Sequence, residues 1–189
     1  MTETDEQLYS RFLLKNSNDD LKELLERHRE GLTMFLFGLV HDIDDAEELM
    51  LDAYAVAASG TSAFSGKSSF KTWIFGIGRN LALKHLRKHR YQSGSLDSDE
   101  LNEVRSPEEL SPEMELIKEE RRQKLYAAME KLDEDYREVL YLIYFENMSC
   151  EEAAGVMKKT RKQIYNLSAR GKQALKNELY RMGFEYEEL

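Results

Sequence analysis

Apolar residues recur at helical spacing along most of this chain, and this periodicity limits the fold more than any other feature. Two prolines and ten glycines in 189 residues, with few runs that alternate Val, Ile or Thr, leave little room for strands. We therefore predict an all-α fold. Between Asp20 and Val40 one helix face carries Leu21, Leu24, Leu25, His28, Leu32, Phe35, Leu36 and Leu39.

Three further helices are predicted in the first half of the chain. Residues 4–15 carry Leu8 and Phe12 at helical spacing, and a further helix is predicted from Phe70 to about Arg90. Between them the segment HDIDDAEELM interrupts the chain and starts a new helix. We expect Asp44 to cap that helix, with Glu47 completing a capping box.

Two capping boxes in tandem mark the second half. Ser149 with Glu152 begins one helix, and Thr160 with Gln163 begins another after a turn of a few residues. This spacing predicts a helix-turn-helix. In its second helix the inward positions are Ile164, Leu167, Gly171 and Leu175, and the outward positions are Arg161, Lys162, Tyr165, Asn166, Arg170 and Gln173.

Positive charge is concentrated in two stretches of an acidic chain. The net charge is -9, yet residues 53–96 hold seven Lys or Arg and no acidic residue. Residues 153–177 repeat this pattern, again with seven Lys or Arg and no acid. The rest of the chain is acidic and would repel nucleic acid. Two local positive fields therefore predict contact with nucleic acid at two faces.

Composition changes between the two halves. Residues 97–120 contain ten Asp or Glu against two basic residues, which favours a solvated segment extended by self-repulsion. We predict two small helical domains, 1–91 and 114–189, joined by an acidic flexible linker at 92–113.

The chain shows no signal of secretion or of membrane insertion. It has a single cysteine, Cys150, so we expect no disulfide within the chain and a reducing, cytoplasmic location. Its first residues are acidic where a signal peptide would be basic, and no run approaches 18 apolar residues.

Catalytic and metal-binding patterns are weak. We find no nucleophile motif and no phosphate cradle, so an enzyme is not predicted, and no cofactor is expected. His85 and His89 have metal-ligand spacing, but no carboxylate is near them in the sequence, and we expect them to face phosphate.

The two basic stretches differ in chemistry. The outward face of the helix-turn-helix suits readout of a duplex in the major groove. The earlier stretch combines Phe64, Phe70 and Trp73 with positive charge, a mixture that suits unstacked single strands. Phe70 and Ile77 are predicted to be core residues, whereas Trp73 could be a core residue or a wedge between bases.

These motifs, in this order, resemble bacterial sigma-70 family sigma factors of the extracytoplasmic function type. DDAEELMLDAY at 44–54 is similar to the core-polymerase-binding signature, and FSGKSSFKTWIFGIGRNLALKHLR at 64–87 to the minus-ten and melting segment. The stretch KLDEDYREVLYLIYFENMSCEEAAGVMKKTRKQIYNLSARGKQAL resembles the minus-35 domain.

The resemblance implies partners and residue roles. Asp45, Glu48, Leu49 and Asp52 would contact core RNA polymerase. Phe64, Ser69, Trp73, Asn80, Lys84 and Arg87 would contact minus-ten promoter DNA, with a flipped base held near Phe64, Ser69 and Asn80. Arg161, Lys162, Tyr165, Asn166 and Arg170 would contact the minus-35 element. The linker would thread towards the polymerase channels, and an anti-sigma factor would hold the protein inactive.

Four positions depart from the family pattern. Leu51 stands where Gln is usual, Asp133 where Pro is common, and Tyr165 and Leu167 where basic residues are frequent. They leave open a sigma-like DNA-binding regulator that does not drive initiation. A helical adaptor whose basic faces bind an acidic protein also remains open.

Overall fold

A computed structural model describes residues 3–15, 17–60, 64–92 and 122–184, and these residues form helices and turns without a strand. The all-α prediction is confirmed. The helices are α1 (Asp5–Lys15), α2 (Asn18–Val40), α3 (Ile43–Ala58), α4 (Phe70–Gln92), α5 (residues 122–130), α6 (Glu134–Leu140), α7 (Cys150–Met157) and α8 (Arg161–Arg181), with a π-helical turn at Tyr141–Phe145. The acidic stretch 97–120, and with it the predicted linker beyond residue 92, lies outside the described residues.

Helices α1 to α4 pack around a common apolar core. Its fully buried side chains include Leu24, Leu36 and Ile74. Two tyrosines carry their hydroxyl groups into this core, and each donates a hydrogen bond to a helix carbonyl. Tyr9 donates to the Ala57 oxygen at 2.9 Å, and Tyr54 donates to the Leu24 oxygen at 2.8 Å. These bonds satisfy polar groups that would otherwise be costly to bury.

The junction between α2 and α3 is tighter than predicted. His41 takes a left-handed conformation, with φ of 58°, and its N–H donates to the Phe37 oxygen, which ends α2. Asp42 then caps α3 by accepting the Asp45 N–H at 2.9 Å. The predicted cap at Asp44 was therefore wrong by two residues. Only His41 separates the end of α2 from the Asp42 cap, so α3 begins earlier than predicted. Asp44 instead places its charge in the positively polarised first turn.

The helix-turn-helix is confirmed, with both capping boxes formed. Ser149 and Glu152 exchange hydrogen bonds at the start of α7, and Thr160 and Gln163 do so at the start of α8. Lys158 ends α7 in a left-handed conformation, with φ of 53°. The predicted inward face of α8 packs as expected, with Ile164 and Gly171 buried and Leu167 and Leu175 partly buried.

Helix α6 lies directly beneath α8. Asp133, one of the four departures noted above, caps α6 by accepting the Asp135 N–H at 3.4 Å. A Cβ atom on Gly171 would lie 3.3 Å from side-chain atoms of Leu140 and Tyr136, so the glycine permits a close approach of the two helices. The π-helical turn that follows α6 was not predicted.

The two halves also pack against each other in the described structure. Helix α4 lies on α7, and α2 lies on α6 and the π-helical turn. The rings of Phe75 and Tyr141 flank Phe35, with centroid distances of 5.4 and 6.0 Å. Within the described residues, no helix is both long enough and apolar enough to cross a bilayer.

Candidate nucleic-acid interface

Helix α8 presents the predicted minus-35 residues on its exposed side. Arg161, Lys162, Tyr165, Asn166 and Arg170 are all exposed, and Tyr165 keeps 68% of its surface accessible. The capping box fixes the first turn of this 21-residue helix, which is about 30 Å long. Its N-terminal half therefore offers three positive charges and hydrogen-bonding side chains on a rigid support, which is the geometry that major-groove readout requires.

Helix α4 carries a second exposed stripe. Trp73, Asn80, Lys84 and Arg87 follow one another at intervals of seven, four and three residues and so share one side of the helix. Asn80, Lys84 and Arg87 are exposed, and Trp73 is half-buried. The stripe combines an aromatic side chain, an amide and two cations, a mixture able to contact both phosphates and unpaired bases.

An aromatic cluster supports the start of this stripe. The rings of Tyr9, Phe64, Phe70 and Trp73 lie within 5.1 to 6.3 Å of one another. Phe70 and Ile77 are buried, which confirms their prediction as core residues. Phe64 and Trp73 lie on the partly exposed rim. Tyr9 was missed, although it neighbours the apolar Leu8 and Phe12 positions.

Ser69 lies at the start of α4, between the two halves of the chain. Its hydroxyl accepts the Thr72 N–H at 3.2 Å, as a capping side chain does, and donates to Glu152 of α7 at 3.2 Å. In this arrangement the Ser69 hydroxyl is thus hydrogen-bonded to the helix-turn-helix. Residues 61–63 of the preceding loop lie outside the described residues.

The outer face of α3 is acidic. Glu48 and Asp52 are exposed and Asp45 is partly exposed, which gives three carboxylates along one side of the helix. Leu49 lies in the core with 6% exposure, so its side chain does not belong to that face. The apolar side chain that does project outward on α3 is Leu51, with 55% of its surface accessible.

One ion pair between the halves is almost fully buried. The Arg79 guanidinium of α4 donates two hydrogen bonds to the Glu138 carboxylate of α6, one of them at 3.1 Å. The Glu138 side chain is only 1% exposed. Burial raises the pKa of Glu138, and the adjacent Arg79 opposes that rise. Because a buried charge without a partner is costly, the two residues stabilise the packed arrangement only together.

Two further glutamates of the helix-turn-helix half reach α4. Lys71 Nζ contacts the Glu146 carboxylate and the Glu146 carbonyl oxygen, both at 2.8 Å. Glu152 accepts hydrogen bonds from Ser69 and Thr72, and its pKa is lowered, chiefly by the Ser149 backbone N–H. We call the interactions that Glu138, Glu146 and Glu152 make with the first half of the chain the glutamate contacts. They join residues 59 to 83 positions apart, and no local sequence pattern signals them.

The histidine pair on α4 differs from its prediction. The Nε2 atom of His85 lies 3.0 Å from Oδ2 of Asp45 on α3. The expectation that no carboxylate is nearby was wrong, because α3 packs along α4 and brings Asp45 to the pair. His85 faces α3, on a different side of α4 from Asn80, Lys84 and Arg87.

Comparison with known proteins identifies both halves of the chain. Residues 24–91 match the model of Sigma-70 region 2, and residues 122–175 match the model of Sigma-70, region 4. The ECF RNA polymerase sigma factor SigX of Bacillus subtilis is 27% identical over 160 residues, covering 82% of this chain and 81% of SigX. The ECF RNA polymerase sigma-E factor of Escherichia coli strain K12 is 28% identical over 146 residues, covering 71% and 74%.

A solved structure has a similar fold over most of the chain. The sigma factor RpoE of Bartonella quintana, crystallised with the anti-sigma factor NepR, superposes with a TM-score of 0.69 and 25% identity. The match covers 85% of this chain and 97% of that one.

Proposed function

This chain belongs to the sigma-70 family, among the sigma factors of the extracytoplasmic function type, and from that premise we propose how its surfaces direct promoter-specific transcription initiation. The observation that carries the proposal is the pair of exposed faces on α4 and α8, each basic and each on its own helical support. The protein binds core RNA polymerase and recognises the minus-ten and minus-35 elements of promoter DNA with these two faces.

Each face has a separate role. Residues 1–91 bind polymerase through Asp45, Glu48 and Asp52, while Leu49 supports that helix from the core. The same domain contacts minus-ten DNA through Phe64, Ser69, Trp73, Asn80, Lys84 and Arg87. Residues 114–189 contact the minus-35 element through Arg161, Lys162, Tyr165, Asn166 and Arg170. The linker at 92–113 joins the two domains.

Promoter binding requires the two halves to separate. The names of the elements place them about 25 base pairs apart, which is about 85 Å of B-DNA at about 3.4 Å per base pair. A compact chain of 189 residues has a radius of gyration of about 16 Å and so is about 40 Å across. The glutamate contacts therefore belong to a closed state, and they must break before α4 and α8 engage both elements.

The partners follow from the same role. The protein acts in the cytoplasm, where polymerase and promoters are, and it needs neither a cofactor nor catalysis of its own. An anti-sigma factor restrains it, by analogy with the Bartonella quintana relative that was crystallised with NepR.

Reconstituted transcription tests the proposal. Core polymerase, a pool of genomic promoter fragments and this protein are expected to give transcripts from a defined subset of promoters. A second sigma factor shows in parallel that the polymerase is active. Specific DNA binding without transcripts would instead support a regulator that does not drive initiation.

Binding to DNA with little dependence on salt or sequence would support the helical adaptor. Each phosphate contact lowers log affinity by about 0.9 per unit of log salt, so a steep salt dependence is expected.

A further inference from the structure

A group of metal-ligand atoms lies where α3 meets α4. His85 and His89 are four residues apart on α4, and their ring centroids are 4.3 Å apart. The carboxylate of Asp45 approaches from α3, with Oδ2 at 3.0 Å from Nε2 of His85. One ligand atom from each of the three residues lies within 4.8 Å of the other two.

We infer that Asp45, His85 and His89 form a binding site for a divalent transition-metal ion of the zinc type. Two imidazoles and one carboxylate are a donor set that zinc uses when its fourth position stays open to water. With metal-ligand bonds of about 2.0 to 2.2 Å, tetrahedral coordination requires ligand atoms about 3.3 Å apart. The Asp45 and His85 ligand atoms, 3.0 Å apart, are close to this spacing, and the ligand atom of the exposed His89 lies within 4.8 Å of both.

The second imidazole favours a bound cation over a simple ion pair at this place. Asp45 and His85 alone would form a complete pair, and ion pairs that remain accessible to water contribute little to stability. The second imidazole is not needed for that pair, yet its ring lies beside the first. A divalent ion would use both rings and the carboxylate at once, and it would link α3 to α4.

The site is separate from the DNA-facing stripe. His85 and His89 lie on a different side of α4 from Asn80, Lys84 and Arg87, so a bound ion would leave that stripe exposed. It would occupy Asp45 and place positive charge on the acidic face of α3. This second consequence rests on the proposed function, because that face is assigned to polymerase.

Zinc binding to the full chain tests the site directly. We expect Zn²⁺, titrated in competition with a chromogenic chelator, to bind at one equivalent, and Co²⁺ to give the visible absorption bands of tetrahedral coordination. His89→Gln and Asp45→Asn should each weaken Zn²⁺ binding on the order of tenfold to a hundredfold or more, because losing a direct ligand costs at least as much as losing its supporting partner. Both variants change exposed or partly exposed side chains, and circular dichroism checks that they fold.

Two matched controls separate this site from other donors. His41 lies beside Glu130, with Nδ1 at 3.3 Å from the carboxylate, so His41→Asn removes another imidazole that is paired with an acid. Cys150→Ser removes the only thiol. Both controls should bind Zn²⁺ as the parent protein does. Unchanged Zn²⁺ affinity in His89→Gln, or loss of binding in either control, would overturn the site.

The consequence for polymerase has its own readout. Zn²⁺ should weaken binding of the parent protein to core polymerase and leave binding of His89→Gln unaffected. Equal polymerase affinity with and without Zn²⁺, in a protein shown to bind the ion, would overturn the competition for Asp45. Failure to bind polymerase without Zn²⁺ would contradict the proposed function itself.

Discussion

Trp73 is the residue at which core packing and DNA contact compete. Its indole packs on Tyr9, Phe64 and Phe70, yet the side chain is only half-buried and begins the stripe that continues to Asn80. A rim position of this kind gives a rigid aromatic surface on which an unpaired base can stack, and stacking contributes about 1 to 3 kcal/mol per base.

Replacing Trp73 should therefore affect promoter opening more than initial binding. We expect Trp73→Ala to slow formation of the open complex while closed-complex affinity changes little, and Trp73→Phe to retain most of the opening rate. Stopped-flow fluorescence of a promoter labelled near the minus-ten element measures both steps. Equal losses in the two steps, matched by a loss of stability in urea, would show that Trp73 serves the core alone.

Arg170 belongs to the exposed face of α8, where an arginine can bond two acceptors of one guanine. Arg170→Ala is expected to weaken recognition of the minus-35 element by about 1 to 3 kcal/mol and to relax base preference at one position. Arg181→Ala is the matched control, because that residue lies about 16 Å further along the helix and pairs with Glu178. Competition binding to minus-35 duplexes with single base changes is the measurement, and an unchanged base preference in Arg170→Ala would remove it from the interface.

At the scale of elements, the sequence predicts structure best where local chemistry is sufficient. The two capping boxes and the inward positions of α8 were predicted correctly, because each depends on residues within one or two turns. The predicted position of the α3 cap was wrong. The cap follows directly after His41, whose left-handed conformation ends α2, and a histidine does not by itself signal that conformation. The π-helical turn also lacked a local signal. Tertiary packing decides such features.

The cap of α8 positions the minus-35 face, so its loss should affect both stability and recognition. Thr160→Ala removes the side-chain oxygen that accepts the Gln163 N–H, and it should lower the free energy of unfolding by about 1 kcal/mol. Thr160→Ser keeps that oxygen and should be close to the parent protein. Urea denaturation followed by circular dichroism measures the difference, and equal stability of Thr160→Ala and Thr160→Ser would show that the capping bond contributes nothing.

At the scale of the whole molecule, the sequence predicted two basic faces and the structure adds their closed arrangement. The glutamate contacts join residues far apart in the chain, so composition and periodicity could not reveal them. Of the predicted minus-ten residues, Ser69 bonds directly to the other half, while Asn80, Lys84 and Arg87 remain exposed. Closure therefore leaves the α8 face and most of the α4 face accessible but prevents them from reaching two distant elements.

Neutralising the buried glutamate should open the molecule. Glu138→Gln leaves the buried Arg79 without a charged partner, and breaking a buried pair costs about 3 to 5 kcal/mol. We expect a larger radius of gyration by small-angle X-ray scattering, with both halves still folded. Glu151→Gln is the matched control on the exposed side of α7 and should scatter as the parent protein does. A Glu138→Gln protein as compact as its control would show that this pair does not hold the halves together.

The requirement for opening is tested most directly by locking the closed state. A Cβ atom on Gly155 would lie 3.3 Å from Thr72 Cγ2, so Thr72→Cys with Gly155→Cys places two thiols close enough for a disulfide between α4 and α7. Cys150→Ser prevents mispairing. In reconstituted transcription with core polymerase, the reduced protein should initiate at its promoters and the oxidised protein should not, with activity restored by reductant. Equal promoter-specific transcription from the oxidised and reduced forms would contradict the account.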